Sequence, residues 1–114
     1  MTGKAKLSVR IDLPNGGRFG PGKAALLRAI DSEGSISKAA AALSMSYPRA
    51  LKLIDEMKAD FAQPLIASSH GGASGGGSEL TDLGKRVLTL YGEVTETAET
   101  ASMSSIEALC SLQG

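Results

Sequence analysis

A mostly α-helical chain with one small β-hairpin is predicted by three observations along its 114 residues. Apolar residues recur at helical spacing in four stretches. A segment with five glycines among residues 70–78 interrupts them, and the core has few aromatics to draw on: no Trp, two Phe and two Tyr. A core of Leu, Ile, Val, Met and Ala suits close helix contacts, and this length can bury one such core, so a single small soluble domain is expected.

The elements follow in order. Leu7-Ser8-Val9-Arg10-Ile11-Asp12-Leu13 alternates apolar and polar residues, the pattern of a half-buried strand, and Pro14-Asn15-Gly16-Gly17 ends it. Phe19-Gly20-Pro21-Gly22 is a second turn cluster. From Lys23 the period becomes helical, with Leu26, Leu27 and Ile30 on one face and Gly34 as the stop. Ser35-Ile36-Ser37 offers capping oxygens for a short helix from Lys38 to about Leu43, whose Ala39-Ala40-Ala41-Ala42 run admits a close neighbour. Ser44-Met45-Ser46 breaks that helix and caps the next. Pro48 is tolerated in a first turn, and Ala50, Leu53, Ile54, Met57 and Phe61 then share one side of a helix over residues 46–62. Two helices joined by so tight a turn form a helix-turn-helix.

Pro64-Leu65-Ile66-Ala67-Ser68 reads as a strand, residues 70–78 as a flexible tip, and Glu79-Leu80 as the return strand of a β-hairpin wing. Thr81 and Asp82 supply an N-cap and a first-turn acid for the last helix. There Leu83, Val87, Leu90, Val94, Ala98 and Ala101 recur at spacings of 4, 3, 4, 4 and 3, continuing less regularly through Ile106 and Leu109. A seam that long exceeds what one small core can cover, which points to a homodimer interface; the alternative is a helix folded back on its own core. The fold class is thus a winged helix-turn-helix with an N-terminal strand and a long C-terminal dimerisation helix. Residues 1–80 form the helix-turn-helix domain and 81–114 the dimerisation helix, within one structural unit.

Twelve basic and twelve acidic residues give a net charge of zero, but they are not evenly spread. Residues 1–52 carry nine basic residues against three acidic ones, a net of +6, and residues 53–114 carry three against nine, a net of −6. Such asymmetry marks a chain with one anion-facing side, although scattered solvated charges would give the same sum. No apolar run approaches the 18 or so residues of a membrane span, and the N-terminus lacks the apolar stretch of a signal peptide, so a cytoplasmic protein with no membrane partner is expected. With one His and one Cys, a His/Cys zinc site within one chain is excluded, Cys110 reads as a small apolar residue, and no metal, cofactor or enzyme chemistry is expected.

On a helical wheel the third helix turns Pro48, Arg49, Lys52 and Glu56 outward, with Tyr47 at the edge. Its basic residues occupy the first two turns, while Asp55, Glu56 and Asp60 follow. That polarity suits a helix entering the major groove by its N-terminal end, with Arg49 paired to guanine or holding a phosphate. Ser35, Ser37, Lys38, Ser44, Ser46, Tyr47 and Lys52 are candidates for phosphate and base contacts. At the wing, the candidates are Ser69, His70, Gly71, Gly72, Ser74 and Ser78, whose small neighbours let the backbone approach DNA; a plain flexible linker is the alternative. The glycine segment lacks the Gly-Lys-Ser/Thr ending of a Walker loop and the dinucleotide-binding glycine pattern, which excludes those phosphate-binding loops.

The stretch Gly34-Ser35-Ile36-Ser37-Lys38-Ala39-Ala40, then Leu43-Ser44-Met45-Ser46-Tyr47 and Ile54-Asp55-Glu56-Met57, then the Gly-rich segment 71–77 and Leu80-Thr81-x-x-Gly84, resembles the N-terminal DNA-binding domain of the molybdate-responsive transcriptional regulators, relatives of the LysR-type proteins. The resemblance covers about residues 7–95. It implies a winged helix that dimerises through its long last helix, with residues 46–52 opening the recognition helix. It also implies a sequence-specific regulator, bound to double-stranded DNA at a pseudo-palindromic site, of a molybdate or metal-oxyanion transport or utilisation operon. Family members continue into molybdate-binding modules, whereas no strand-rich segment follows the last helix here. The expectation is therefore that no molybdate-binding domain is present and that molybdate does not bind this chain, whether it stands alone or is a piece of a longer regulator. Two other classes remain open: a winged helix that binds a protein partner through its acidic last helix, and a small oxyanion binder using the glycine segment.

Overall fold

In the computed structural model, which describes residues 4–69 and 77–114, an extended N-terminal segment leads into β1 (Ile11–Asp12). This strand pairs antiparallel with β2 (Arg18–Phe19), Ile11 opposite Phe19 and Asp12 opposite Arg18. The strand expected over 7–13 is thus realised as two paired residues. The next helix begins at Pro21 and stops β2 after Phe19, leaving Leu7–Arg10 without a ladder partner. The Val9 carbonyl instead accepts a 2.6 Å hydrogen bond from the Tyr91 hydroxyl. The turn between the strands leans on the far end of the third helix: the Asn15 side-chain amide donates to the Asp60 carbonyl at 3.0 Å, and a Cβ at Gly17 would overlap the Asp60 carboxylate.

Helix α1 (Pro21–Glu33) starts two residues earlier than its apolar period indicates, because a proline with fixed φ and no N–H fits a first turn. Leu26, Leu27 and Ile30 are fully buried, and Gly34 closes the helix at φ 81°, its N–H donating to the Ile30 carbonyl at 2.9 Å. Helix α2 (Ile36–Ala42) is capped by Ser35, whose Oγ accepts from the Lys38 N–H at 3.1 Å; Ser37 therefore lies inside the first turn. Ala39 and Ala40 are buried where α2 meets its neighbours. The connecting turn holds Ser44 at φ 54° and is closed by the Met45 N–H donating to the Ala40 carbonyl at 2.8 Å. Helix α3 (Tyr47–Asp60) opens with Pro48 in its first turn and buries Ala50, Leu53, Ile54 and Met57. Phe61 ends it, with its ring edge-on to Phe19 at 6.2 Å.

Strands β3 (Ile66–Ser69) and β4 (Gly77–Leu80) pair antiparallel from Ile66–Leu80 to Ser69–Gly77, forming the base of the wing. The Ser78 N–H donates to the Gly34 carbonyl at 2.8 Å and fastens β4 to the end of α1. The predicted contacts His70, Gly71, Gly72 and Ser74 lie outside the described residues.

Helix α4 (Asp82–Cys110) is capped by Thr81, whose Oγ1 accepts from the Gly84 N–H at 3.0 Å and donates to the Pro64 carbonyl at 2.7 Å, while its N–H donates to the Leu65 carbonyl at 2.9 Å. A Cβ at Gly84 would overlap that same Leu65 oxygen, which explains the glycine in the Leu-Thr-x-x-Gly stretch. Two turns on, the buried Tyr91 packs edge-on against Phe19 at 5.1 Å. Burial pushes its hydroxyl above the ordinary value of 10.0, so it remains a donor to Val9 at neutral pH. Gly84 and Tyr91 are the buried residues of α4. Residues 92–110 run on past the core for about 28 Å at 1.5 Å per residue, and the molecule accordingly measures 57 Å by 35 Å by 21 Å. Along this extension, Lys4, Ala5 and Leu7 share a groove with Met103, Ile106 and Cys110. Among the described residues no helix is long and apolar enough to cross a membrane.

Candidate nucleic-acid interface

A buried ammonium disfavours its charged form unless carboxylates and carbonyls replace the lost water. Lys23, on α1, meets that demand: its Nζ donates to the Arg18 carbonyl at 2.7 Å and lies 3.1 Å from Glu56 Oε1 and 3.8 Å from Asp60 Oδ2. Lys23 is therefore unavailable to an outside anion. Glu56, which the helical wheel turns outward, is half-exposed and gains a partner there because α1 brings a cation across the α3 surface. The hydrogen bond from Lys23, aided by the charges of Lys23, Lys52 and Arg49, holds the Glu56 carboxyl below its ordinary value of 4.5 despite partial desolvation. Arg10 is also paired, its guanidinium gripping Asp12 at 2.9 and 3.2 Å on the exposed surface.

The sign of the resulting pH dependence follows from linkage. A carboxylate whose folded value is depressed stabilises the fold fully above its unfolded value and loses that contribution as pH falls through the folded one. Glu56→Gln is expected to melt below the native protein at neutral pH, with the gap closing once pH drops below 4.5 and through the folded value. Thermal melts of both proteins across that range check it.

With Lys23 and Arg10 occupied, the exposed cations of α2 and α3 are Lys38, Arg49, Lys52 and Lys58, none of them in an ion pair among the described residues, and Lys58 stands apart in the last turn of α3. Arg49 and Lys52 lie in the first two turns of α3, and the carboxylates Glu56 and Asp60 are drawn away toward Lys23. Ser46 caps this helix, its Oγ accepting from the Arg49 N–H at 3.2 Å, so its hydroxyl proton is still free to donate to a phosphate. Ser44 is exposed in the turn, Ser37 and Lys38 on the first turn of α2, and Ser35 is half-buried as its cap.

Of these residues, Ser35 and Ser37 line an open cleft of about 460 Å³ together with Ile36, Tyr47, Gly77 and Ser78, whereas Lys38, Ser44, Ser46, Arg49 and Lys52 lie outside its lining. The cleft joins the starts of α2 and α3 to the root of the wing, and the Ser78 to Gly34 bond fixes its far wall. Spacing along the chain does not reveal this closure, since it depends on β4 folding back onto α1. Sequence reading also passes over Leu51, an apolar residue on the polar side of α3 that is 36% exposed. Its signal is visible in retrospect as a leucine outside the stripe of Ala50, Leu53, Ile54 and Met57.

The expected dimer seam divides in two. Leu83 and Val87 pack against the core of their own chain, whereas Leu90 and Val94 are 43% and 42% exposed. Ala98 is half-buried and Ala101 exposed on the projecting part of α4. Among the described residues no three His, Cys, Asp or Glu side chains gather as a metal site would require.

A Molybdenum transport protein ModE of Azotobacter vinelandii is 44% identical over 66 residues, covering 58% of this chain and 24% of that protein. Molybdenum-pterin-binding protein MopB of Rhodobacter capsulatus is 37% identical over 92 residues, covering 81% of this chain and 34% of that protein. The DNA-binding transcriptional dual regulator ModE of Escherichia coli K12 is 38% identical over 71 residues, covering 62% and 27%. The chain thus spans about a quarter to a third of the length of these relatives. Residues 23–85, from the buried Lys23 through the two helices and the wing to the cap of α4, match the family described as bacterial regulatory helix-turn-helix protein, lysR family, and the chain belongs to that family.

Proposed function

We propose that this chain is the DNA-reading part of a homodimeric transcriptional regulator that binds a pseudo-palindromic site and serves a molybdate or metal-oxyanion transport or utilisation operon. The observation that carries the reading is the first two turns of α3, where Arg49 and Lys52 stand exposed with no ion pair among the described residues, and where Tyr47 lines the cleft shared with the capped start of α2 and the wing root. Phosphates of one strand meet Ser35, Ser37, Lys38, Ser44, Ser46 and Lys52, while Arg49 reaches base edges in the major groove. The wing segment with His70, Gly71, Gly72 and Ser74 contacts the neighbouring backbone or minor groove. Leu90, Val94, Ala98 and Ala101 form the seam with the second copy, and two-fold symmetry sets the half-sites one or more helical turns apart. In this reading residues 1–80 are the DNA-binding domain and 81–114 its dimerisation helix. The molybdenum connection rests on the names of the relatives, and no residue of this chain is assigned to hold the oxyanion.

Fluorescence anisotropy on promoter duplexes, repeated at two salt concentrations, tests the proposal. Arg49→Ala is expected to cost about 1–3 kcal/mol on the specific site and to relax preference at one base position. Lys52→Ala is expected to weaken all sequences alike and to flatten the salt dependence by about one counterion. Binding weaker than about millimolar to every duplex at low salt would end the DNA reading, since even non-specific contact exceeds that. Calorimetry with molybdate is expected to show no binding to this chain.

A further inference from the structure

On the outward side of α3, Tyr47 is 48% exposed and Leu51 is 36% exposed. Neither belongs to the buried cluster or to the side chains packed against it. Four residues apart, they lie one above the other on the same flank of the helix, with Arg49 and Lys52 on the adjoining side of the same two turns and Asp55 one turn beyond Leu51. A single exposed leucine needs no explanation. An apolar pair beside two cations that have no ion pair among the described residues does, because the cations favour a polyanion while the pair asks for an apolar spot upon it. The major groove of DNA offers one apolar feature, the C5-methyl group of thymine.

We propose that Leu51, with Tyr47 one turn before it, is a specificity element that packs on thymine methyl groups in the half-site. The inference rests on the DNA-binding reading above and adds to it the base that the apolar flank selects. Leu51 shares its turn of α3 with Lys52, so a phosphate contact by Lys52 brings that turn of the helix to the groove. Tyr47 extends the strip toward the cleft formed with Ser35, Ile36, Ser37, Gly77 and Ser78.

The test removes the methyl group and nothing else. Duplexes bound by the full chain are selected from a random library, and each thymine of the selected half-site is replaced singly by deoxyuridine. The expected result is a loss of about fourfold at one or two positions, the value of one methyl group taken out of water. Leu51→Ala is expected to bind thymine and deoxyuridine equally at a Leu51 position, and Tyr47→Ala to do so at a neighbouring one. Because both side chains are exposed, the melting temperatures should stay close to the native value. Equal binding of thymine and deoxyuridine by the native chain at every position would overturn the inference and leave DNA binding intact. Methyl dependence that persists in both variants would overturn the assignment to Leu51 and Tyr47. Failure to select any duplex would sink the DNA reading, and this inference with it.

Discussion

Replacing Leu90 and Val94 together by Glu is expected to turn the proposed dimer into a monomer while leaving the fold of each chain in place. Both side chains are more than two-fifths exposed and sit just before and just after the turn at which Tyr91 leaves the core, so two carboxylates there disturb no internal packing. In the dimer they would be buried against the partner helix without a counter-charge, a cost that such a seam does not withstand. Sedimentation at tens of micromolar should report one chain where the native protein is expected to give two. On a duplex carrying both half-sites the affinity should fall by about 10²–10⁴, the advantage of tethering two heads. On a duplex carrying one half-site it should hardly change. A double variant that still sediments as a dimer would place the seam elsewhere.

Gly84→Ala should destabilise the domain more than any single exposed substitution. The added Cβ would overlap the Leu65 carbonyl oxygen, a backbone atom that is already held by the Thr81 N–H and cannot swing aside as a side-chain tip would. Overpacking of this kind costs about 1–3 kcal/mol, and alanine's better helix propensity returns at most about 1 kcal/mol. Denaturant unfolding measures the difference. The same variant should also loosen the start of α4 from β3, so protection of the Gly84 amide from hydrogen exchange should fall with it.

Most of the helical framework was legible because it is local. Ser46, Thr81 and Gly34 end helices through bonds that span three or four residues, and the stripe of Ala50, Leu53, Ile54 and Met57 records directly which side of α3 is buried. What could not be read depends on distant partners. The strand Arg18–Phe19 is too short to carry a period, and it exists because Ile11–Asp12 lies opposite. Glu56 was drawn into an ion pair by a lysine on another helix. Tyr91 stands outside the aliphatic period of α4, and its tie to Val9 spans 82 positions. At the candidate site the cations Arg49 and Lys52 were recognisable from their place on the helix, whereas the loss of Lys23 from the anion-facing set required the packed structure. The net charge of the first half therefore overstates what DNA would meet.

Helix α4 is gripped at Gly84 and again at Tyr91, two turns later, and then continues unburied for about 28 Å. Mechanically this is a lever with a short clamped end and a long outer arm that only the N-terminal segment accompanies. A tilt of about 5° at the clamp moves the far end by roughly 2.5 Å over that length, while the root of the wing stays pinned to α1 by Ser78. Force applied near Cys110 would thus arrive magnified as torque on the Phe19–Tyr91 contact, one of the joints that tie the outer part of α4 to the core.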